Sequence, residues 1–315
     1  MPTNAVIVLF FNRPAVLERL MKRVEAAEPR RVYLACDGPR PGGKDDEAVE
    51  VCRRIVLSRA WRTEPITRFL PTNEGCARAV SGALDWFFEQ EESGIVLEDD
   101  CLPDPTFFEF CTELLERYRE DPRVMSINGT SFDTRSREGA VALSYRFSHH
   151  PSVWGWASWS RAWSRYRLRL APEEIDRVVA SGLPVPTSPS RRAWRRKFLS
   201  VSADHPATWD YQWTFAHFRE RGLAAIPGVN LVSNVPTDGG AHMRGASAWQ
   251  SLPTVHMRFP ILHPATVATD SELDRHIETV HCNHRSWLLR KAWQIGARHG
   301  LVNAEQIRTG RILHG

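Results

Sequence analysis

Short apolar runs alternate with amphipathic segments in the first part of the chain. The runs AVIVLFF at 5–11, VYLAC at 32–36 and GIVL at 94–97 are continuous, which is typical of strands buried on both faces of a parallel sheet. Between them, segments such as AVLERLMKRVEAA at 15–27 repeat apolar residues with the spacing of a helix. This β-α-β-α-β-α-β order predicts a doubly wound, mostly parallel α/β sheet with helices on both faces.

The pattern changes after residue 100. PTFFEFCTELLERYRED at 105–121 predicts an amphipathic helix, and VMSINGTSF at 124–132 predicts a strand. Residues 139–166 are aromatic and partly strand-like, and residues 171–222 are predominantly helical between breaks rich in proline and serine. LAAIPGVNLVSN at 223–234 predicts one or two short strands, and residues 277–300 predict one long basic helix.

Composition places the chain among soluble globular proteins. It has 315 residues, of which 42% are hydrophobic and 25% charged, enough for a sizeable core. No run approaches the roughly 18 apolar residues of a transmembrane helix, and the N-terminus lacks the basic region and cleavage site of a signal peptide. We therefore expect a cytoplasmic protein. Its six cysteines show no CxxC spacing, so we expect reduced thiols.

The net charge of +4 comes from arginine, much of it in SRAWSRYRLRL at 160–170 and SPSRRAWRRKF at 188–198. Such clusters attract phosphates, acidic membranes or acidic substrates, or they form a solvated basic face. Both interpretations stay open at this point. No nucleic-acid partner is expected.

Polar side chains follow three of the predicted strands. Asn12 and Arg13 follow the first strand, Asp37 follows the second, and a triplet of acids at 98–100 follows the fourth. Ligands of open α/β sheets bind beyond the carboxyl ends of the strands. The three strand ends therefore predict one binding site, where Asp37 could accept from a nucleobase or ribose.

The acidic triplet is suited to a hard divalent cation such as Mg²⁺ or Mn²⁺. Because side chains alternate along a strand, Glu98 and Asp100 are expected to face one way and Asp99 the other. Arg13 and Arg78 are candidates for pairing with a diphosphate or with these acids. The alternative for Arg78 is a surface charge on a helix.

These features resemble a known enzyme family. The start IVLFFNRP at 7–14 and the segment VLEDDCLPDPTFFEF at 96–110 are similar to GT-A fold glycosyltransferases, most narrowly to the N-acetylglucosaminyltransferase I group. GWASWSRAW at 155–163 and TWDYQW at 208–213 extend the similarity over roughly residues 5–245. The chain also resembles bacterial nucleotide-diphospho-sugar transferase proteins.

The resemblance implies a GT-A fold divided into three parts. Residues 1–135 would be the nucleotide-sugar-binding α/β half, and residues 136–250 the acceptor-side and catalytic half of the same domain. Residues 251–315 would be a C-terminal helical extension. The activity implied is transfer of a sugar, with N-acetylglucosamine as the expected one, from a UDP-sugar to a hydroxyl of a glycan, lipid-linked or small-molecule acceptor. Mn²⁺ or Mg²⁺ would be the cofactor.

The resemblance also implies roles for the residues at the strand ends. Asp100 would be the direct metal ligand, and Glu98 would contact the donor sugar. Asp99 would lie at the ribose and Asp37 at the base. Arg13 would lie near the nucleotide.

Further roles come from the second half of the chain. Asp210 would be the catalytic base and Trp209 a wall of the sugar site. Tyr211 stands where the family has a second acid, a departure that leaves acceptor recognition open. The alternative from the residues alone is that Asp210 caps a helix or forms an ion pair. His242, in the Gly-rich loop at 236–245, would touch the metal or the diphosphate, and that loop would act as a lid.

A single candidate base predicts single displacement and hence inversion at the anomeric carbon. One alternative function is a sugar-1-phosphate nucleotidyltransferase, which requires a Gly-rich phosphate loop, whereas FNRPAVLE at 11–18 contains no glycine. Another is a non-catalytic carbohydrate-binding protein. The basic helix at 277–300 would either dock peripherally on an anionic membrane or present a solvated face.

Overall fold

A computed structural model of the chain describes residues 4–133, 143–181, 184, 188–202, 206–235 and 251–281. Its strands are β1 (Val6–Phe10), β2 (Val32–Cys36), β3 (Ile66–Phe69), β4 (Ser93–Glu98), β5 (Cys101–Pro103), β6 (Val124–Asn128), β7 (Tyr145–Ser148), β8 (Trp156–Trp159), β9 (Leu223–Pro227) and β10 (Val232–Asn234). Its α-helices are α1 (Pro14–Ala26), α2 (Asp46–Leu57), α3 (Cys76–Gln90), α4 (Thr106–Arg117), α5 (Ser160–Trp163), α6 (Pro172–Ala180), α7 (Ser188–Ser200), α8 (Asp210–Glu220) and α9 (Ser271–His276). A π-helical turn (Ile277–His281) follows α9.

Eight of these strands form one sheet in the order β3-β2-β1-β4-β8-β6-β9-β7. The pairs β2–β3, β1–β2, β1–β4 and β6–β9 are parallel, whereas β8 and β7 run antiparallel to their neighbours. β5 and β10 form a separate antiparallel ribbon. The predicted fold class, a doubly wound and mostly parallel α/β sheet, is confirmed.

The continuous apolar runs form strands because both faces of the sheet are covered. Along β1, Val6 and Val8 belong to a core that includes α1, α2 and α4. The alternate residues Ile7 and Leu9 belong to a second core that includes α3 and several tryptophans. A strand buried on both faces has no position left for a polar side chain until it ends, so the polar residues collect at the strand ends.

The second half of the chain completes the same sheet. Strands from both predicted halves lie side by side in it, and the boundaries at 135 and 250 stay a prediction. Residues 251–281 pack along β7, where Phe147 bridges to Thr269 and Arg146 donates to Asp270 at 3.0 Å. Of the predicted basic helix, the structure describes only the turn at 277–281; the rest lies outside the described residues. In the described part of the chain, no helix has the length and apolar character needed to cross a bilayer.

Gly94 in β4 provides a stability test of the sheet–helix packing. A Cβ added there would lie 2.7 Å from Cε1 of the buried Phe87 ring and 2.9 Å from the carbonyl oxygen of Ala5. Gly94→Ala is therefore expected to lower the unfolding free energy by about 1–3 kcal/mol, because the helix must move away from the strand. Urea denaturation measures this loss.

Gly82→Ala in α3 is the matched control for Gly94→Ala. Its added Cβ would meet only the flexible end of Arg68, at 3.4 Å. Alanine is preferred over glycine inside a helix, so this variant is expected to be neutral or more stable by up to about 1 kcal/mol. Equal stability of Gly94→Ala and the unmodified protein would contradict the packing described here.

Candidate active site

The carboxyl ends of β1 and β4 lie side by side and bring their polar residues together. The parallel register pairs Leu9 with Glu98, and the amide of Asp99 donates to the carbonyl of Leu9 at 2.9 Å. The amide of Phe11 in turn donates to Oδ2 of Asp99 at 3.2 Å. Backbone pairing therefore fixes where the acidic triplet begins relative to the start of α1.

Arg13 bridges two acids of the triplet. Its Nη2 donates to Oδ1 of Asp99, and its Nη1 donates to Oδ2 of Asp100 at 3.1 Å. The Asp99 side chain is 1% exposed, whereas Asp100 is 22% exposed and Arg13 28%. The predicted alternation is not maintained beyond Glu98, because β4 ends there and the following turn presents Asp99 and Asp100 to the same guanidinium.

The electrostatics of the triplet show how crowded the charges are. Burial raises the pKa of Asp99 to about 6, although Arg13 lowers it. Burial, followed by the charges of Asp100 and Asp99, raises the pKa of Glu98 well above its ordinary range. Burial lowers the pKa of Arg13, but the two aspartates outweigh that effect and the pKa is raised overall. One guanidinium therefore offsets only part of the repulsion among the three acids.

Asp37, at the end of β2, organises the loop that precedes α3. Its Oδ1 accepts from the amides of Gly38 at 2.8 Å and Glu74 at 2.9 Å. Its Oδ2 accepts from Nδ2 of Asn73 at 2.9 Å and the amide of Gly75 at 3.1 Å. Both oxygens are thus engaged by the loop, and a contact with a nucleobase would come in addition to these bonds.

Cys76 begins α3 and lies among the acids from three different elements. Burial raises the pKa of its thiol to about 12, and the charges of Glu98, Asp210 and Asp37 raise it further in that order. All three carboxylates are therefore close enough to Cys76 for their charges to act on its thiol. The sequence prediction did not include Cys76; the available signal was its place directly after the turn at 73–75.

Asp210 is the first residue of α8, and a buried aromatic cluster holds it in place. The preceding Trp209 stacks on Trp156 with 6.0 Å between ring centroids, and the Tyr166 hydroxyl donates to the carbonyl of Trp209 at 3.3 Å. The Thr208 hydroxyl donates to Oδ1 of Asp210. The charge of Asp210 contributes to raising the pKa of Glu98, so the two carboxylates are close enough to interact electrostatically.

Trp209 and Arg78 differ in how well their positions fit the predictions. The Trp209 side chain is 2% exposed, and a ring so deeply buried offers no face to a ligand. Its position in the core does not fit the predicted wall of a sugar site; it supports the helix end that carries Asp210. Arg78 is exposed in the first turn of α3, two residues after Cys76. That position is compatible with both of its predicted alternatives.

His242 lies outside the described residues, as does the glycine-rich loop that contains it. The described residues on either side of that gap lie next to the acids. The amide of Val235 donates to the carbonyl of Asp100 at 2.8 Å, and the amide of Ser251 donates to the carbonyl of Asn234 at 2.8 Å.

The oxygens of Asp100 fit a cation that is shared with a substrate. Over the described ranges, no group of three or more His, Cys, Asp or Glu side chains is arranged to hold a metal ion by itself. Mg²⁺ commonly takes one or two protein carboxylates and completes its shell with water and substrate phosphates. Arg13 contacts Oδ2 of Asp100, and among the described residues Oδ1 meets only the weak Cys101 thiol donor, at 3.8 Å. Asp100 therefore has a hard oxygen available for such a cation.

Comparison with known proteins leaves the family of the chain open. No protein-family model matches it, and no curated protein matches it in sequence. Among solved structures it is similar to the galactosyltransferase LgtC in complex with donor and acceptor sugar analogues, at a TM-score of 0.35 and 15% identity over 68% of this chain and 70% of that one. An active-site mutant of LgtC gives the same TM-score at 13% identity. Similarity this weak does not assign a family, and the resemblance to N-acetylglucosaminyltransferase I stays a prediction.

Removing the bridging guanidinium tests the electrostatics of the site. The folded-state pKa of Asp99, about 6 against an ordinary 3.8, rises further without Arg13, so the charged carboxylate destabilises the fold more as the pH increases. Arg13→Gln is expected to lower the unfolding free energy by about 3–5 kcal/mol at pH 8 and by less at pH 5, where Asp99 is protonated. Urea denaturation at both pH values measures the difference.

Arg119→Gln is the control for Arg13→Gln, because Arg119 pairs with Glu116 where both side chains are well exposed. Its effect is expected to stay within about 1 kcal/mol at either pH. Two results would show that the bridge does not compensate buried charge. One is that Arg13→Gln lowers the unfolding free energy at pH 8 no more than Arg119→Gln does. The other is that Arg13→Gln lowers it equally at pH 5 and pH 8.

Proposed function

We propose that the chain is a metal-dependent glycosyltransferase that moves a sugar from a UDP-sugar to a hydroxyl group of an acceptor. The observation that carries the proposal is the acidic end of β4, where Arg13 bridges Asp99 and Asp100, together with the charges of Glu98, Asp210 and Asp37, which all act on the Cys76 thiol. This cluster lies at the carboxyl edge of a doubly wound sheet, where such folds bind ligands. Its groups match the two requirements of glycosyl transfer, which are binding of a diphosphate leaving group and removal of a proton.

Donor binding is assigned to the end of β4. Asp100 would hold Mn²⁺ or Mg²⁺, and the ion would supply positive charge to the departing diphosphate. Arg13 is a second positive charge at the same place and is expected to contact the diphosphate. Asp99, buried against Arg13, then serves to position that guanidinium, in place of the predicted ribose contact. Glu98, whose pKa is raised by burial and by the neighbouring acids, would in its protonated form donate a hydrogen bond to a donor-sugar oxygen.

Asp210 is assigned the role of general base. It belongs to a different element from the donor-binding acids, and its charge acts on Glu98, which lies on the donor side. A carboxylate there can accept the proton of an acceptor hydroxyl as the new bond forms. With one base and single displacement, the anomeric configuration is inverted. N-acetylglucosamine remains the expected sugar.

The connection between β1 and α1 argues against a nucleotidyltransferase. It consists of Phe11, Asn12 and Arg13 and contains no glycine. A Gly-rich phosphate loop presents a run of backbone amides to the ligand. Here the connection presents the Arg13 guanidinium instead, which favours contact with a diphosphate that is already formed.

A thermal-shift assay with UDP and Mn²⁺ tests the donor site. Binding to the native state raises its stability by RT ln(1 + [L]/Kd), so UDP with Mn²⁺ is expected to raise the melting temperature, and UDP with EDTA is not. Asp100→Asn is expected to abolish this Mn²⁺-dependent shift. The exposed Asp176→Asn is the control and should keep it. A full shift in Asp100→Asn would exclude Asp100 as the ligand.

The role of Asp210 is tested by separating donor binding from turnover. Asp210→Asn is expected to retain the Mn²⁺-dependent shift with UDP while losing about 10²–10⁴-fold in transfer rate, because the general base is gone. A screen of UDP-sugars with a mixed acceptor pool provides the transfer assay. Unchanged turnover in Asp210→Asn would remove it as the base, whereas a lost thermal shift would place it in donor binding.

A further inference from the structure

The positive charge of the chain is concentrated in one stretch beside the candidate active site. Residues 160–202 contain ten Arg and Lys residues against three Asp and Glu residues, although the whole chain has a net charge of only +4. The remainder of the chain therefore has more acidic than basic residues. A charge excess confined to one region is a feature of surfaces that bind anions.

Helix α7 carries the densest part of this charge, with five basic residues and no acidic one. Its apolar side chains Trp194 and Phe198 are buried against residues of α6 and α8. Away from these buried side chains, the helix exposes arginines at 192, 195 and 196. Arg195 is neutralised by Asp176, with contacts of 2.8 and 3.1 Å. Arg192 and Arg196 have no acidic partner within the described ranges.

Lys197 connects this helix to the candidate active site. Its Nζ lies 4.4 Å from the centroid of the Trp194 ring and 5.2 Å from that of the Tyr211 ring. Tyr211 directly follows Asp210, the proposed base, in the first turn of α8. Two aromatic faces thus fix a cation next to the first turn of α8, which begins at the proposed base. Arg192 and Arg196 lie one helical turn apart, a spacing that allows both to contact one anionic group.

We infer that the surface formed by Arg192, Arg196 and Lys197, called here the α7 surface, binds an acceptor that carries a phosphate or carboxylate group. The inference rests on the proposed function, because it takes Asp210 as the base that the acceptor hydroxyl must approach. Because Tyr211 stands where the family has a second acid, acceptor recognition is left open there. The inference assigns acceptor recognition to the α7 surface. The anionic group pairs with the arginines while the sugar or lipid part extends toward α8.

Matched sugars with and without an anionic group are the probes for this surface. At low ionic strength, glucose 6-phosphate and glucuronate are expected to bind in an NMR titration at concentrations where glucose does not, and added salt should weaken binding. Arg192→Gln/Arg196→Gln is expected to weaken glucose 6-phosphate binding by about tenfold or more, as loss of charge-assisted hydrogen bonds does. Lys197→Met, which keeps an apolar side chain on the rings, should weaken it as well.

Arg19→Gln/Arg23→Gln is the matched control, because these arginines are also exposed and one turn apart, on α1. The control should bind glucose 6-phosphate as the unmodified protein does. The inference would be overturned if glucose and glucose 6-phosphate bound equally well. It would also be overturned if both double variants lost glucose 6-phosphate binding to the same extent. Binding to phosphatidylglycerol vesicles but not to the anionic sugars would also overturn it, in favour of membrane docking.

Measuring donor binding shows whether this inference alone fails or the proposed function fails as well. The Mn²⁺-dependent thermal shift with UDP should be unchanged in Arg192→Gln/Arg196→Gln, because the donor acids lie on β4 and not on α7. If the unmodified protein binds UDP with Mn²⁺ but no anionic sugar, the acceptor inference fails and the proposed function stands. If it binds the anionic sugars but not UDP, the proposed function fails, and with it the identification of the bound anion as an acceptor.

Discussion

The guanidinium of Arg13 allows a buried strand to end in adjacent carboxylates. Asp99 is almost fully buried, and without a counter-charge its ionised form would be strongly disfavoured. Arg13 reaches both Asp99 and Asp100 because α1 begins directly after the short connection from β1, next to the end of β4. The arrangement of the site thus depends on the parallel pairing of β1 with β4.

Arg13 offsets only part of the negative charge at the end of β4. Three acids lie at the end of β4 against the single guanidinium of Arg13, and their mutual repulsion adds to burial in raising the pKa of Glu98. A further cation is therefore attracted to the same edge, most directly to Asp100, which is the more exposed of the bridged aspartates. In the proposed arrangement, the donor side at the end of β4 is negatively charged and the acceptor side at the α7 surface is positively charged. This polarity suits a donor that arrives with a metal ion and an acceptor that arrives as an anion.

The sequence predicted the first half of the fold well because its signals are local. Continuous apolar runs and amphipathic segments alternate there without ambiguity, and Pro14 marks the start of α1. β5 and its pairing with β10 were not predicted, because a three-residue strand has no periodicity to detect. β4 ends at Glu98, so the structure places the predicted acidic triplet at a strand end, and its role in binding stays a prediction.

The details that the sequence could not provide depend on contacts between distant residues. Alternation along a strand does not extend into the turn after Glu98, so the shared guanidinium of Asp99 and Asp100 was not foreseen. The engagement of Asp37 by the loop at 73–75 required knowing how that loop folds back. The burial of Trp209 follows from stacking on Trp156, which is far away in sequence.

We expect a divalent cation to offset the excess negative charge at the end of β4 when it binds together with a nucleotide diphosphate. Electron paramagnetic resonance of free Mn²⁺ measures this directly, in solutions of Mn²⁺ with protein, with UDP, and with both. We expect Mn²⁺ to bind weakly to the protein alone, because Arg13 competes for Asp100. With protein and UDP together, the loss of the free Mn²⁺ signal should be much larger than the sum of the losses with protein alone and with UDP alone. If the loss of signal with protein and UDP together were no larger than that sum, Mn²⁺ and UDP would not bind to the site together as described.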